Sequence, residues 1–96
     1  MSNKGIQQAS FIYKSLNVSK DEFIKTGNTI DAVKVGTDIL CENNIDLDYF
    51  EILDYKTFSP PKNITKKFII ITAAYVEGIR LIDNIQFEVG ATKWKI

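Results

Sequence analysis

Residues 68–75 read Phe-Ile-Ile-Ile-Thr-Ala-Ala-Tyr, an almost unbroken β-branched and aromatic run. Such a run suits a strand covered on both faces, most simply the central strand of a sheet. It therefore needs a neighbour on each side, and the chain offers two. Asp46 to Asp54 (DLDYFEILD) alternates, with Leu47, Tyr49, Glu51 and Leu53 on one side and Phe50 and Ile52 on the other. That is the period-two pattern of a half-buried strand. Glu77-Gly78 is a tight-turn signal, and Ile79 to Val89 (IRLIDNIQFEV) alternates again, so the last two strands are expected to form an antiparallel hairpin.

The first half reads as helix. Ile6, Ala9, Ile12 or Tyr13, and Leu16 recur at helical spacing and predict a first amphipathic helix that packs against the sheet. Asn17-Val18-Ser19 is expected to break it. Ser19-Lys20-Asp21-Glu22 has the form of a capping box that starts a short second helix, closed near Thr26 by Gly27-Asn28. Thr29 is the expected cap of a third helix, whose apolar stripe would be Ile30, Val33, Thr37, Leu40 and Cys41 and which Asn43-Asn44 ends. Tyr55 to Lys67 holds Pro60-Pro61 and is expected to be an exposed loop. Helices followed by strands predict an α+β fold: about three N-terminal helices packed as one layer on a small three-stranded antiparallel sheet. With 96 residues, the whole of 1–96 is expected to be a single domain.

Charge and residue usage remove several functional classes. Twelve basic and twelve acidic residues cancel, which disfavours nucleic acid and anionic membrane as partners. No apolar run approaches membrane-spanning length, and MSNKGIQQ at the N-terminus lacks the apolar core of a signal peptide, so a cytoplasmic protein is expected. There is no histidine and a single cysteine, Cys41. Imidazole acid-base chemistry, soft metal sites and an internal disulfide are thereby excluded.

The remaining chemistry-bearing residues mostly read as structural. Asp46, Asp48 and Asp54 fall on one face of the first strand and Glu51 on the other, so the four carboxylates do not converge on a metal or an acid-base pair. Cys41 sits on the expected apolar stripe, where a buried, inert thiol is the preferred reading. The glycines are spaced too widely for a phosphate-cradling loop. Trp94, in the tail GATKWKI, is expected to fold back onto the domain surface, with a partner contact as the alternative.

The wording of the second half is more specific than its periodicity. DYFEILD at 48–54, Thr57 and Pro60 in the following turn, IIITAA at 69–74 and GIRLIDNI at 78–85 stand in order. Together they resemble the C-terminal domain of the pantothenate synthetases, or pantoate-β-alanine ligases. Arg80, Asp83 and Asn84 carry the family's R-L-I-D-N wording, with Ile79 in place of its usual threonine; a structural role is preferred for them over a ligand-facing one. At the other end, Met1-Ser2-Asn3-Lys4-Gly5 is similar to the family's M-S-S-R-N motif, whose serine and arginine hold ATP phosphates. The resemblance implies that Ser2 and Lys4 bind phosphate, although Lys4 is a compact charge without arginine's bidentate fork. A plain flexible start, with Ser2 as an ordinary polar residue, remains the alternative.

The same resemblance implies an activity and an omission. Family members use ATP, with Mg2+, to join pantoate to β-alanine through an acyl adenylate. Their larger N-terminal nucleotide-binding domain carries an H-I-G-H-type motif, which a chain without histidine lacks. The expectation is a C-terminal lid domain with no catalytic residue of its own, inactive alone, whose partner is that N-terminal domain. The alternative is a small stand-alone binding or regulatory module that kept the fold. A small sheet deprived of its partner also exposes apolar surface, so self-association is expected.

Overall fold

In the computed structural model, residues 3–89 are described, with side chains from Gly5 onward. The order is α1 (Asn3–Thr26), α2 (Thr29–Glu42), β1 (Asp46–Asp54), β2 (Lys67–Val76) and β3 (Ile79–Glu88). The strands form one antiparallel sheet in the order β1-β2-β3, with β2 central. Both helices pack on the same face of this sheet, giving the expected α+β arrangement in two layers. Among the described residues no helix is long and apolar enough to cross a membrane.

Two helices stand where three were expected. The proposed break at Asn17-Val18-Ser19 does not occur, and α1 continues for 24 residues to Thr26. The reason is an uninterrupted buried stripe: Ile12, the pair Ser15 and Leu16, Ser19 and Phe23 recur about once per helical turn, each 4% exposed or less. Burying Leu16 and Phe23 is worth about 1.5–3 kcal/mol each. That exceeds the few tenths of a kcal/mol by which asparagine, valine and serine disfavour a helix. Ser19 is therefore a mid-helix residue and not a cap. Ile6 and Tyr13, the outer members of the expected stripe, are more than half exposed.

Helix α2 starts where expected but with a different cap and a different buried face. Asn28 is the N-cap, its side-chain oxygen accepting from the Asp31 amide at 3.1 Å. Its buried residues are Ala32, Gly36 and Leu40. Ile30 is 77% exposed, Val33 is half-buried, and Cys41 is exposed and not buried as expected. Small residues let the helix come close: a Cβ built on Gly36 would lie 2.5 Å from Cζ of Phe50 on β1. The stripe that touches the sheet is thus the one with the least bulk.

The strands follow the expected boundaries to within two residues. Two devices shape them. Glu77 and Gly78 both take positive φ, 54° and 76°, which makes the tight β2–β3 turn. On β1 a bulge falls between Leu47 and Tyr49, leaving Asp48 without a partner on β2. An extra residue reverses the alternation on one side of it. Leu47 consequently joins Phe50 and Ile52 against the core and not the Tyr49 side, while Asp46 moves to the register face of Tyr49 and Glu51. The buried Thr72 hydroxyl donates to the Tyr49 carbonyl at 2.7 Å, just past the bulge. At the far end Phe23 meets Phe68 edge-on at 4.9 Å, and Phe68 stacks on Phe87 at 5.3 Å.

Candidate functional site

Helix α1 begins at Asn3, so Lys4 is in its first turn; the Lys4 side chain, like Ser2 and Trp94, lies outside the described residues. A helix start concentrates unpaired amides and the positive end of the peptide dipoles, which is where anions bind. No acidic residue occupies that turn to neutralise it. The surroundings come from three distant parts of the chain. The Gln8 amide donates to the carbonyl of Asn43 at 3.4 Å, tying the start of α1 to the end of α2. Gln8 also lines a cleft of about 630 Å³ with Asn44, Asp46, Tyr75, Glu77 and Gly78. Gly5 is buried at its side of the helix.

The cleft is mixed in charge. Asp46 and Glu77 bring carboxylates to the rim. Among the described residues no cluster of three or more acidic, cysteine or histidine side chains could hold a metal ion. Gln8, Asn44, Asp46 and Glu77 share no spacing in the sequence, because only folding brings the α2–β1 junction and the β2–β3 turn together.

The R-L-I-D-N stretch is split by the sheet. Arg80 and Asn84 fall on the face away from the helices, whereas Asp83 is opposite Thr72 on the helix side. Arg80 does not meet Asp83. Its Nε donates to Oδ2 of Asp48 at 2.9 Å, with the guanidinium 5.9 Å from the Tyr49 ring centre. The hydrogen bond to Asp48 raises the already high pKa of Arg80. Asp83 accepts the Asn84 amide at 2.8 Å.

A second organised site lies in the stretch that its prolines mark as an exposed loop. Asp54, at the end of β1, accepts from the Thr65 hydroxyl at 2.8 Å and the Lys56 amide at 2.8 Å, and its backbone closes on Phe58 and Ser59. These bonds, that from Thr65 foremost, lower the Asp54 pKa below its ordinary 3.8. Phe58 is held at φ 53°, a conformation that a phenylalanine rarely adopts unaided. The loop is therefore pinned to β1 by one carboxylate. The four acidic residues of β1 do not converge: Asp48 is paired with Arg80, Asp54 serves the loop, and Asp46 lines the cleft.

Comparison with known proteins decides the family. The pantoate-beta-alanine ligase family model matches residues 1–86, nearly the whole described fold. The chain belongs to the pantoate-beta-alanine ligase family. The pantothenate synthetase of Caldicellulosiruptor saccharolyticus is 35% identical over 85 residues, covering 86% of this chain and 30% of that protein. The pantothenate synthetase of Clostridioides difficile is 31% identical over 92 residues, covering 94% of this chain and 33% of its own length. A bifunctional pantoate ligase/cytidylate kinase of Trichodesmium erythraeum is 34% identical over 84 residues, which is 16% of its length. The chain thus spans about a third or less of the curated relatives that it matches, as a pantoate-beta-alanine ligase domain and not the length of a full synthetase.

Proposed function

We propose that this domain is the C-terminal lid of an ATP-dependent pantoate-β-alanine ligase and is silent by itself. The observation that carries the reading is the family match over residues 1–86 combined with coverage of only 30% of the length of the first relatives. In the complete reaction the pantoate carboxylate attacks the α-phosphorus of MgATP, releasing pyrophosphate and forming pantoyl adenylate. The β-alanine amine then attacks the acyl carbon, and AMP leaves. Neither step asks for a base or nucleophile from this chain, which has no histidine.

The part left to the domain is electrostatic and steric. The start of α1 supplies amides and a positive dipole end, with Ser2 and Lys4 as the phosphate contacts, and closure keeps water from the hydrolysable adenylate. The partner is the nucleotide-binding N-terminal domain of a ligase of this family.

Complementation tests this. The purified chain with pantoate, β-alanine and MgATP should yield no pantothenate. Adding it to a family N-terminal domain stripped of its own lid should restore turnover, and Lys4→Ala should reduce the restored rate about 10-fold or more. Pantothenate formed by the chain alone would refute the silent-lid reading. Failure to complement, alongside tight capture of some other protein, would favour a stand-alone binding module.

A further inference from the structure

Because α1 and α2 lie on one side of the sheet, the other side meets no element of the described chain. Its central column is Ile69, Ile71 and Ala73 of β2. Ile69 is 4% exposed and Ala73 fully buried, yet neither joins the helix-side core. At the rim Ile82 stays 56% exposed and Tyr75 39%.

We propose that this face is the contact between two copies of the chain, related by a two-fold axis that runs along β2 between the two sheets. The occupant is a second copy because the face is complementary to itself about that axis. The rotation lays β1 of one copy over β3 of the other, row for row. Register then sets Tyr49 over Ile82 and Glu51 over Asn84, with Ala73 and Ile71 meeting their own counterparts. The same register sets Asp46 of each copy over Arg80 of the other, with Asp48, in the bulge, close by. Only Nε of Arg80 is engaged by its own Asp48, and the guanidinium fork has further donors for a second carboxylate. An axis across the strands at mid-face would instead stack Glu51 on Glu51, so charge selects the axis along β2.

Size fits a weak dimer. Three strands about 4.8 Å apart and ten residues at about 3.3 Å each span roughly 14 by 30 Å. Pressed together, two such faces bury on the order of 1,000 Å² in total, at the lower limit of specific interfaces. The product is a four-layer arrangement, helices outermost, sheets packed face to face at the usual angle of about 30°. The proposal does not rest on the ligase reading.

Sedimentation equilibrium of the whole chain between about 10 μM and 1 mM tests it, with a dissociation constant expected inside that range. Ile82→Lys, at an exposed position, should be a folded monomer throughout. Asp48→Arg and Arg80→Asp should each weaken self-association about 10-fold or more by juxtaposing like charges. Each also breaks the internal pair, so the decisive sample is the two variants mixed, which should restore association because every contact across the axis is again between opposite charges. A wild-type chain that stays monomeric at 1 mM overturns the proposal, as does a dimeric Ile82→Lys. A mixture no better associated than either variant alone overturns the axis.

Discussion

The two faces of this sheet use almost the same residue types to different ends. On β2 the helix-side positions are Phe68, Ile70, Thr72, Ala74 and Val76, and the outer ones are Ile69, Ile71, Ala73 and Tyr75. Ile70 and Ala74 belong to the core cluster; Ile69 and Ala73 are as well buried but lie outside it. The contrast sharpens on β3, where Leu81, Ile85 and Phe87 pack on the core and Arg80, Ile82, Asn84 and Gln86 are exposed. Burial in the helix-side core and burial on the outer face are thus different states that hydrophobicity alone does not separate.

The largest expected effect measures that difference directly. Leu16→Ala, beneath the sheet, should lower unfolding free energy by about 2–5 kcal/mol in urea titration, a large share of the stability of a domain this size. Ile82→Ala on the outer face should cost no more than about 0.5 kcal/mol at micromolar concentration. Equal losses would mean that the two faces are equally covered in solution. A cost at Ile82 that grows with protein concentration would mean that a second copy covers the outer one.

The same contrast runs through α2. Gly36→Ala drives a methyl group into the Phe50 ring and should destabilise by about 1–3 kcal/mol, whereas Ile30→Ala, at 77% exposure, should change stability by about 0.5 kcal/mol or less. If Gly36→Ala were neutral, Phe50 would have room to move and the close helix–sheet contact would not be needed.

The next effect has the opposite sign. The Ser19 hydroxyl is fully buried on α1 and is the one buried side-chain oxygen among the described residues with no hydrogen-bond partner. Ser19→Ala removes an unsatisfied polar group and improves helix propensity, so it should stabilise by about 1 kcal/mol in thermal unfolding. Destabilisation would reveal a partner for that hydroxyl in solution.

The smallest effect belongs to the exposed loop. Asp54 has a folded-state pKa below its ordinary value, so its stabilising contribution is complete above the unfolded pKa, 3.8, and is lost as pH falls from there through the folded value. Asp54→Asn should lower the unfolding midpoint slightly at about pH 6 and flatten the decline between about pH 5 and pH 3 relative to wild type. Parallel acid limbs in the two proteins would show that the loop is held without the carboxylate. Faster amide exchange at Lys56 would accompany the substitution if the bond to Asp54 protects it.

Much of the sheet was legible because strand periodicity is local: β1 and β3 announce themselves by alternation, β2 by its β-branched run, and Glu77-Gly78 by turn chemistry. The family wording of residues 48–85 was equally readable. The cleft at the start of α1 was not, since Gln8, Asn44, Asp46 and Glu77 are separated by up to most of the chain and carry no shared spacing.

Local pattern and residue usage suffice for the set of strands, their hairpin pairing, the loop carrying Pro60-Pro61, and the absence of imidazole chemistry. Tertiary structure alone decided that α1 runs through Asn17-Val18-Ser19, that α2 turns Ala32, Gly36 and Leu40 inward, and that a bulge at Asp48 moves Leu47 to the core. The physical reason is one of magnitude and of reach. Local propensities differ by tenths of a kcal/mol per residue, while burial of a single large side chain is worth several times that. A glycine, an alanine or a serine gains its place on a buried face from what approaches it, and that neighbour is named only by the fold.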